Sequence, residues 1–285
     1  MTTPRLPSDA IVIQSTKNPW VQSVVRLHKS SVRCEKKRFL IEGENLVSEG
    51  IRCGWPLDSI VATQKWLETS ADWFRELDSR TPQYLVSDQV MKVMATTESP
   101  DGILAVARFR DPHPEQSERP SLGLALDGLQ DPGNLGTLLR SAVACGADSL
   151  VLGDGSVDPY NAKVLRSTAG QWFRMPPQQV SLDAWIKANR KNGSQVLAAS
   201  MGGKSFWEWD LQGPTIFVLG NEGSGVSKQV LDQCDGVVSV PMKQNVESLN
   251  VAMTGTLLLY ETVRQRNQLP RSQDHMGDLG LHGRC

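Results

Sequence analysis

The chain has 285 residues, 39% of them hydrophobic, and a formal net charge of -1. That length accommodates two ordinary domains with real cores, and the composition excludes fibrous and low-complexity classes. No apolar run reaches membrane-spanning length, and Met1 to Asp9 reads as neither a secretory signal nor a transit peptide, so a cytoplasmic protein with no membrane partner is expected.

Five cysteines (Cys34, Cys53, Cys145, Cys234, Cys285) show no CxxC spacing and no neighbouring His cluster. Reduced thiols and no metal site are expected. Charge is unevenly spread. Lys17, Arg26, Lys29, Arg33, Lys36, Lys37 and Arg38 crowd together, opposed only by Glu35. Such a segment suits a polyanion, although a solvated helix face explains it too. FLIEG (39–43) reads as a strand and 44–50 as a helix. SIVAT (59–63) and QYLVS (83–87) are further strands, and 87–95 is a helix capped by Ser87. ILAVARF (103–109) closes this α/β region, a first domain over 1–110. The polar, Pro-containing run at 111–121 reads as a linker.

A second domain spans 122–266. LGLALDGL (122–129), SLVLG (149–153), VLAAS (196–200), TIFVLG (215–220) and VVSVPM (237–242) are strands, with helices at 135–145, 161–168 and 246–266. Near-continuous apolar strands point to a parallel sheet covered on both faces. The polar tail, 267–285, has no core pattern and is expected to be disordered.

Three segments of this domain place polar residues at strand ends, where ligands collect in open α/β sheets. In LDGLQDPGNLGTLLR, Asn134 stands where a helix cap belongs and Arg140 follows nearly two turns on. In IFVLGNEGSG, Gly220 ends a strand before Asn221-Glu222-Gly223-Ser224-Gly225. This spacing is neither GxGxxG nor a P-loop, and Glu222 would repel a pyrophosphate. An adenosine bearing a cationic sulfonium fits the loop better. In VPMKQNVESLNVA, Glu247-Ser248-Leu249-Asn250 open the last helix, where free N–H groups bind polar ligands. Capping explains Ser248 and buried packing explains Asn250 equally well.

Together and in this order the segments resemble the SpoU/TrmH branch of the SPOUT methyltransferases. The resemblance covers about 122–266. It rests on Asn134 and Arg140, on the Gly-x-Glu-Gly-x-Gly loop from Gly220 to Gly225, and on Pro241-Met242 followed by Ser248 to Val251. One Gly usual in the family is Gln244 here, which alters the loop at the methionine end of the cofactor.

The resemblance implies a trefoil knot, a homodimer with its active site near the subunit interface, and S-adenosylmethionine as methyl donor to a ribose 2′-hydroxyl of structured RNA, ribosomal favoured over transfer RNA. It also implies cofactor contacts at Gly220, Asn221, Val240, Met242 and Leu249, and catalytic roles for Asn134, Arg140, Glu222, Ser248 and Asn250. A guanidinium keeps its proton, so Arg140 suits stabilisation of a developing alkoxide better than general base catalysis. Glu222 is expected to hold Arg140 or to balance the sulfonium. The first domain is similar to the family's substrate-binding domain and, through it, to small RNA-binding ribosomal proteins. RNA contacts are therefore expected at Lys17, Arg26, Arg33, Lys36, Lys37 and Arg38. The alternatives are a catalytically silent RNA-binding relative and a nicotinamide-dependent oxidoreductase, against which the missing GxGxxG counts.

Overall fold

The computed structural model describes residues 11–75, 81–110, 119–243, 246 and 248–267. The start at Met1 to Asp9, the linker from 111 to 118, Gln244, Glu247 and the tail from 268 onward lie outside the described residues.

Strand β1 (Ile11–Ile13) leads to helix α1 (Pro19–Val25). Its start is set locally: the Asn18 side chain accepts from the Trp20 and Val21 N–H groups, and Pro19 occupies the first turn, where its missing N–H costs nothing. Helix α2 (Ser30–Lys36) ends at Lys37, held left-handed at φ 52°. Then come β2 (Arg38–Glu42), α3 (Glu44–Arg52), β3 (Leu57–Thr63), α4 (Gln64–Arg75), β4 (Gln83–Val86), α5 (Asp88–Met94) and β5 (Ile103–Arg108). Ser87 caps α5, as its sequence suggests. The sheet runs β1-β4-β3-β5-β2, parallel through β1, β4 and β3 and antiparallel at β5. The sequence expectations name neither β1 nor α1, α2 and α4. β1, α1 and α2 are short, whereas α4 is twelve residues long and amphipathic, and the sequence reading passes over it.

The second sheet is built from β6 (Leu122–Asp127), β7 (Ser149–Leu152), β8 (Gln178–Gln179), β9 (Gln195–Ser205), β10 (Thr215–Gly220) and β11 (Gly236–Ser239). Its order is β11-β9-β10-β6-β7-β8, and every pairing is parallel. Helices α6 (Pro132–Ala144), α7 (Ala162–Ser167), α8 (Leu182–Lys191), α9 (Lys228–Leu231) and α10 (Val251–Asn267) cover it. Strand β10 is buried along its whole length, as an apolar run covered on both faces must be.

Two helix starts differ from the sequence expectation. Helix α6 is capped by Asp131, whose carboxylate accepts from the Asn134 N–H, and begins at Pro132. Asn134 is thus a first-turn residue and its amide is free for other work. Helix α10 begins at Val251, not at 246. Asn250 caps it, accepting from the Ala252 and Met253 N–H groups at 2.9 and 3.3 Å, and Ser248 and Leu249 lie in the preceding loop.

The two sheets share one apolar core. An aromatic block lies between them: Phe109 stacks on Tyr160 at 3.7 Å, and Trp172 packs against Phe39 and Trp55 at 5.3 and 5.1 Å. Each such pair contributes about 0.5–1.5 kcal/mol beyond burial. Polar ties surround the block. Arg33 grips Asp158, which also accepts from Ser30 at 2.7 Å. Arg166 reaches Thr96 at 2.6 Å and Glu42 at 3.6 Å. Burial pushes the Glu42 carboxyl up, but Thr96, Thr97 and Arg166 more than offset it and hold it below its ordinary value.

Arg33 is therefore a correction to the sequence reading. It is 6% exposed and committed to Asp158 and to the Leu27 and His28 carbonyls. It braces the junction and is not presented to RNA.

Candidate active site

Pairing of β9 with β10 ends at Ala198 and Val218. Beyond that point the chain ends of β9, β10 and β11 splay around a cavity of about 510 Å3, within the usual range for small-molecule sites. The loop from Gly220 to Gly225 forms one wall. Val238 to Val240 and Met242 form another, and Ser248 to Val251 a third. Gly220, Asn221, Val240, Met242 and Leu249, the residues expected to hold the cofactor, all line it.

The glycine loop is built by close backbone approach. A Cβ on Gly220 would stand 2.0 Å from the Gly225 carbonyl carbon, so only glycine fits. Asn221 and Gly225 exchange backbone hydrogen bonds at 3.0 and 2.9 Å, and Gly225 takes φ 70°. The Asn221 side chain organises the turn from within. Its Oδ1 accepts from the Gly223 and Ser224 N–H groups, and its Nδ2 donates to the Gly128 carbonyl at 3.0 Å.

A polar chain joins the three segments. The Glu222 carboxylate accepts from the Gln130 and Asp131 N–H groups at 3.2 and 3.0 Å and from the Asn134 amide at 3.0 Å. Asn134 Oδ1 accepts in turn from Asn250 Nδ2 at 2.9 Å. Partial burial pushes the Glu222 carboxyl up. The Asn134 amide and the surrounding backbone N–H groups outweigh it and hold the group below its ordinary value. The structure thus brings Asn134, Glu222 and Asn250 together, with Ser248 on the cavity wall.

Two expectations are corrected. Glu222 holds Asn134, accepting from its amide, and makes no contact with Arg140 among the described residues. Asn250 is exposed and caps a helix, so buried packing does not account for it. Arg140 stands exposed on α6 and does not line the cavity; its side chain makes no hydrogen bond or ion pair among the described residues. Beyond the sequence expectations, Ala199, Ser200 and Met201 on β9, Ser239 and Thr254 also line the cavity. The strand at 196–200 was legible, but its adjacency to the β10 loop depends on strand order.

The donor set is chemically selective. No Lys, Arg or His lines the cavity, and Glu222 is its one carboxylate among the described residues. Such a site favours a neutral heterocycle with a positive centre over a polyphosphate. Lys17, Arg26, Lys36, Lys37 and Arg38 are all exposed around α1 and α2. Lys36 pairs with Glu35 at 2.9 Å, Arg38 pairs with Asp58, and Lys37 lies over the Phe109 ring at 5.6 Å.

Comparison with known proteins agrees with this geometry. Residues 121–260 match the SpoU rRNA Methylase family, and residues 18–105 match the MRM3-like substrate binding domain. An uncharacterized tRNA/rRNA methyltransferase of Synechocystis is 38% identical over 92% of this chain and 96% of its own. The 23S rRNA (guanosine(2553)-2′-O)-methyltransferase RlmP of Bacillus subtilis is 32% identical, over 87% of this chain and 97% of its own. Among solved structures, the SpoU methyltransferase AviRb from Streptomyces viridochromogenes in complex with the cofactor AdoMet superposes with a TM-score of 0.80. It is 29% identical, over 88% of this chain and 98% of that one.

Proposed function

This chain belongs to the SpoU rRNA methylase family, and on that premise we propose that it transfers a methyl group from S-adenosylmethionine to a ribose 2′-hydroxyl of ribosomal RNA. The observation that carries this reading is the cavity at the ends of β9, β10 and β11, with its glycine wall and its lack of cationic side chains. When bound there, S-adenosylmethionine supplies an electrophilic methyl group.

The chain's own residues do the rest. Backbone from Gly220, Val240 and Leu249 holds the adenosine end, and Asn221 fixes the shape of the loop. Glu222 orients Asn134, which orients Asn250. This amide pair positions the ribose at the cavity mouth. Arg140 stabilises the charge that develops on the 2′-oxygen as its proton passes to water, and grips the adjoining phosphate. Ser248 orients the nucleotide or the loop.

Three finer points belong to the same proposal. First, the backbone is knotted. In support, β11 is the edge strand, yet α10 returns to the middle of the sheet, where Gly255 packs on Leu138 and Leu219. Second, the protein is a homodimer. Met253, Leu257 and Tyr260 form an exposed apolar stripe on α10, and Ser141 beside Arg140 bonds Thr256 on α10 at 2.7 Å. A second copy covering that stripe would bring Arg140 into a shared site. Third, the protein acts in the cytoplasm; no described helix is long and apolar enough to cross a membrane. Transfer of labelled methyl groups to unmodified ribosomal RNA tests the reading, and the absence of transfer would overturn it.

A further inference from the structure

A second groove, about 530 Å3, opens on the first sheet, between α1 and α2 on one side and the strands on the other. It lies outside the cofactor cavity and shares no residue with it. Its floor is apolar, made by Val24, Val32 and Val106. Trp20 forms a wall and is itself backed by Tyr84, stacked at 3.8 Å with the planes 17° apart. Ser59 on β3, 3% exposed as a residue, also lines the groove. Its hydroxyl is one of the few polar groups on an otherwise apolar floor and is placed to hydrogen-bond a ligand's edge. The rim carries Arg26, Lys36 and Arg38, and Arg108 joins Arg38 on Asp58. Four cations thus face two carboxylates, Glu35 and Asp58.

We propose that this groove captures one unstacked nucleobase of the RNA substrate. A nucleobase is flat and apolar on its faces and carries donors and acceptors only on its edge. The groove matches that description: an aromatic wall and valine floor for the faces, and the Ser59 hydroxyl and Asp58 carboxylate for the edge. Arg26 and Lys36 at the mouth meet the flanking phosphates. Single-stranded loops and bulges are what proteins read in RNA, because their bases can be splayed out and stacked. The proposal rests on the reading of this chain as an RNA methyltransferase and adds where the substrate is recognised.

The test uses the full chain and two labelled probes: a short single-stranded RNA, and the same ribose–phosphate backbone with its bases removed. Anisotropy titrations at fixed salt compare them. Loss of a stacked base weakens binding by about five- to a hundred-and-fifty-fold, so the wild-type protein should prefer the base-bearing probe by that factor. Ser59→Val and Trp20→Leu should lose the preference while binding the abasic backbone as the wild type does. Arg26→Ala should weaken both probes alike. Thermal melting and S-adenosylmethionine binding establish that each variant is folded; Ser59→Val carries the test if loss of the Tyr84 stack unfolds Trp20→Leu. A 4-thiouridine probe should cross-link to the groove lining, within residues 20–38, at 58–59 or at Val106. Equal wild-type affinity for both probes, or cross-links confined elsewhere, overturns the groove assignment. Methylation of ribosomal RNA alongside that result would leave the enzymatic reading standing, whereas absence of both methylation and RNA binding would remove it too.

Discussion

The Asn250 side chain faces two ways: Nδ2 donates to Asn134 Oδ1 at 2.9 Å, while Oδ1 accepts from the Ala252 N–H at 2.9 Å. Its orientation is forced from both ends. The first N–H groups of α10 demand an acceptor, and Glu222 demands a donor from Asn134, which turns the Asn134 oxygen toward Asn250. One relay thus links the start of α10, the first turn of α6 and the glycine loop, three segments far apart in sequence.

Asn250→Asp separates the two duties. Aspartate caps as well as asparagine but places a carboxylate against the Asn134 oxygen. Its melting temperature should stay near wild type while turnover falls. Asn134→Ala and Asn250→Ala should be non-additive, with a coupling of about 0.5–3 kcal/mol in the activation free energy. Additive losses would show that the two amides act separately.

Gly220→Ala tests the loop. Its Cβ would meet the Gly225 and Val226 backbone at 2.0–2.1 Å, and neither can yield without opening the turn. S-adenosylmethionine affinity should fall more than about tenfold, or about 1.4 kcal/mol, with the global fold retained because β10 ends there. Calorimetry measures it, and an unchanged affinity would place the cofactor elsewhere.

Much of the second sheet is legible in the sequence because its strands are buried runs bounded by glycine and polar turns. TIFVLG, at 215–220, coincides with β10. Helix starts are less legible, since Asp131 and Asn134 are both good caps and only the fold shows which is used. The relay partners were visible as residue types, but the Glu222–Asn134 bond depends on β10 lying beside β6. Arg33 was misread because its partner, Asp158, lies in the other half of the chain. Ser59 gave no sign at all, being an ordinary residue in a strand until its neighbours are placed.

Acid should loosen the relay late. The folded pKa of Glu222 lies below its ordinary value, so the order it confers is complete above the ordinary carboxylate pKa. That order is lost only as the pH falls through the lowered folded value. Cofactor affinity governed by Glu222 should be flat around neutrality and decline only below the ordinary carboxylate range. Glu222→Gln should lack that decline. A midpoint in the wild type above the ordinary carboxylate range would contradict the arrangement.

The exposed and buried cations should behave differently. Lys36→Ala and Lys37→Ala should each flatten the slope of log affinity against log salt by about 0.7–0.9 on RNA, leaving stability nearly unchanged. Arg33→Ala should leave the slope alone and lower the melting temperature, because Asp158 and the Leu27 and His28 carbonyls lose the hydrogen bonds of a buried guanidinium. A flattened slope for Arg33→Ala would return that residue to the RNA interface.

The most direct test of the account is nucleoside-resolved methyl transfer. Purified protein is given labelled S-adenosylmethionine and unmodified ribosomal RNA under single-turnover conditions, and the RNA is digested to nucleosides for mass spectrometry. Label should appear in a 2′-O-methylnucleoside. The rate should fall about a hundred- to a thousandfold in Arg140→Ala, with cofactor binding intact. Label on a base, or an Arg140→Ala rate matching wild type, would contradict it.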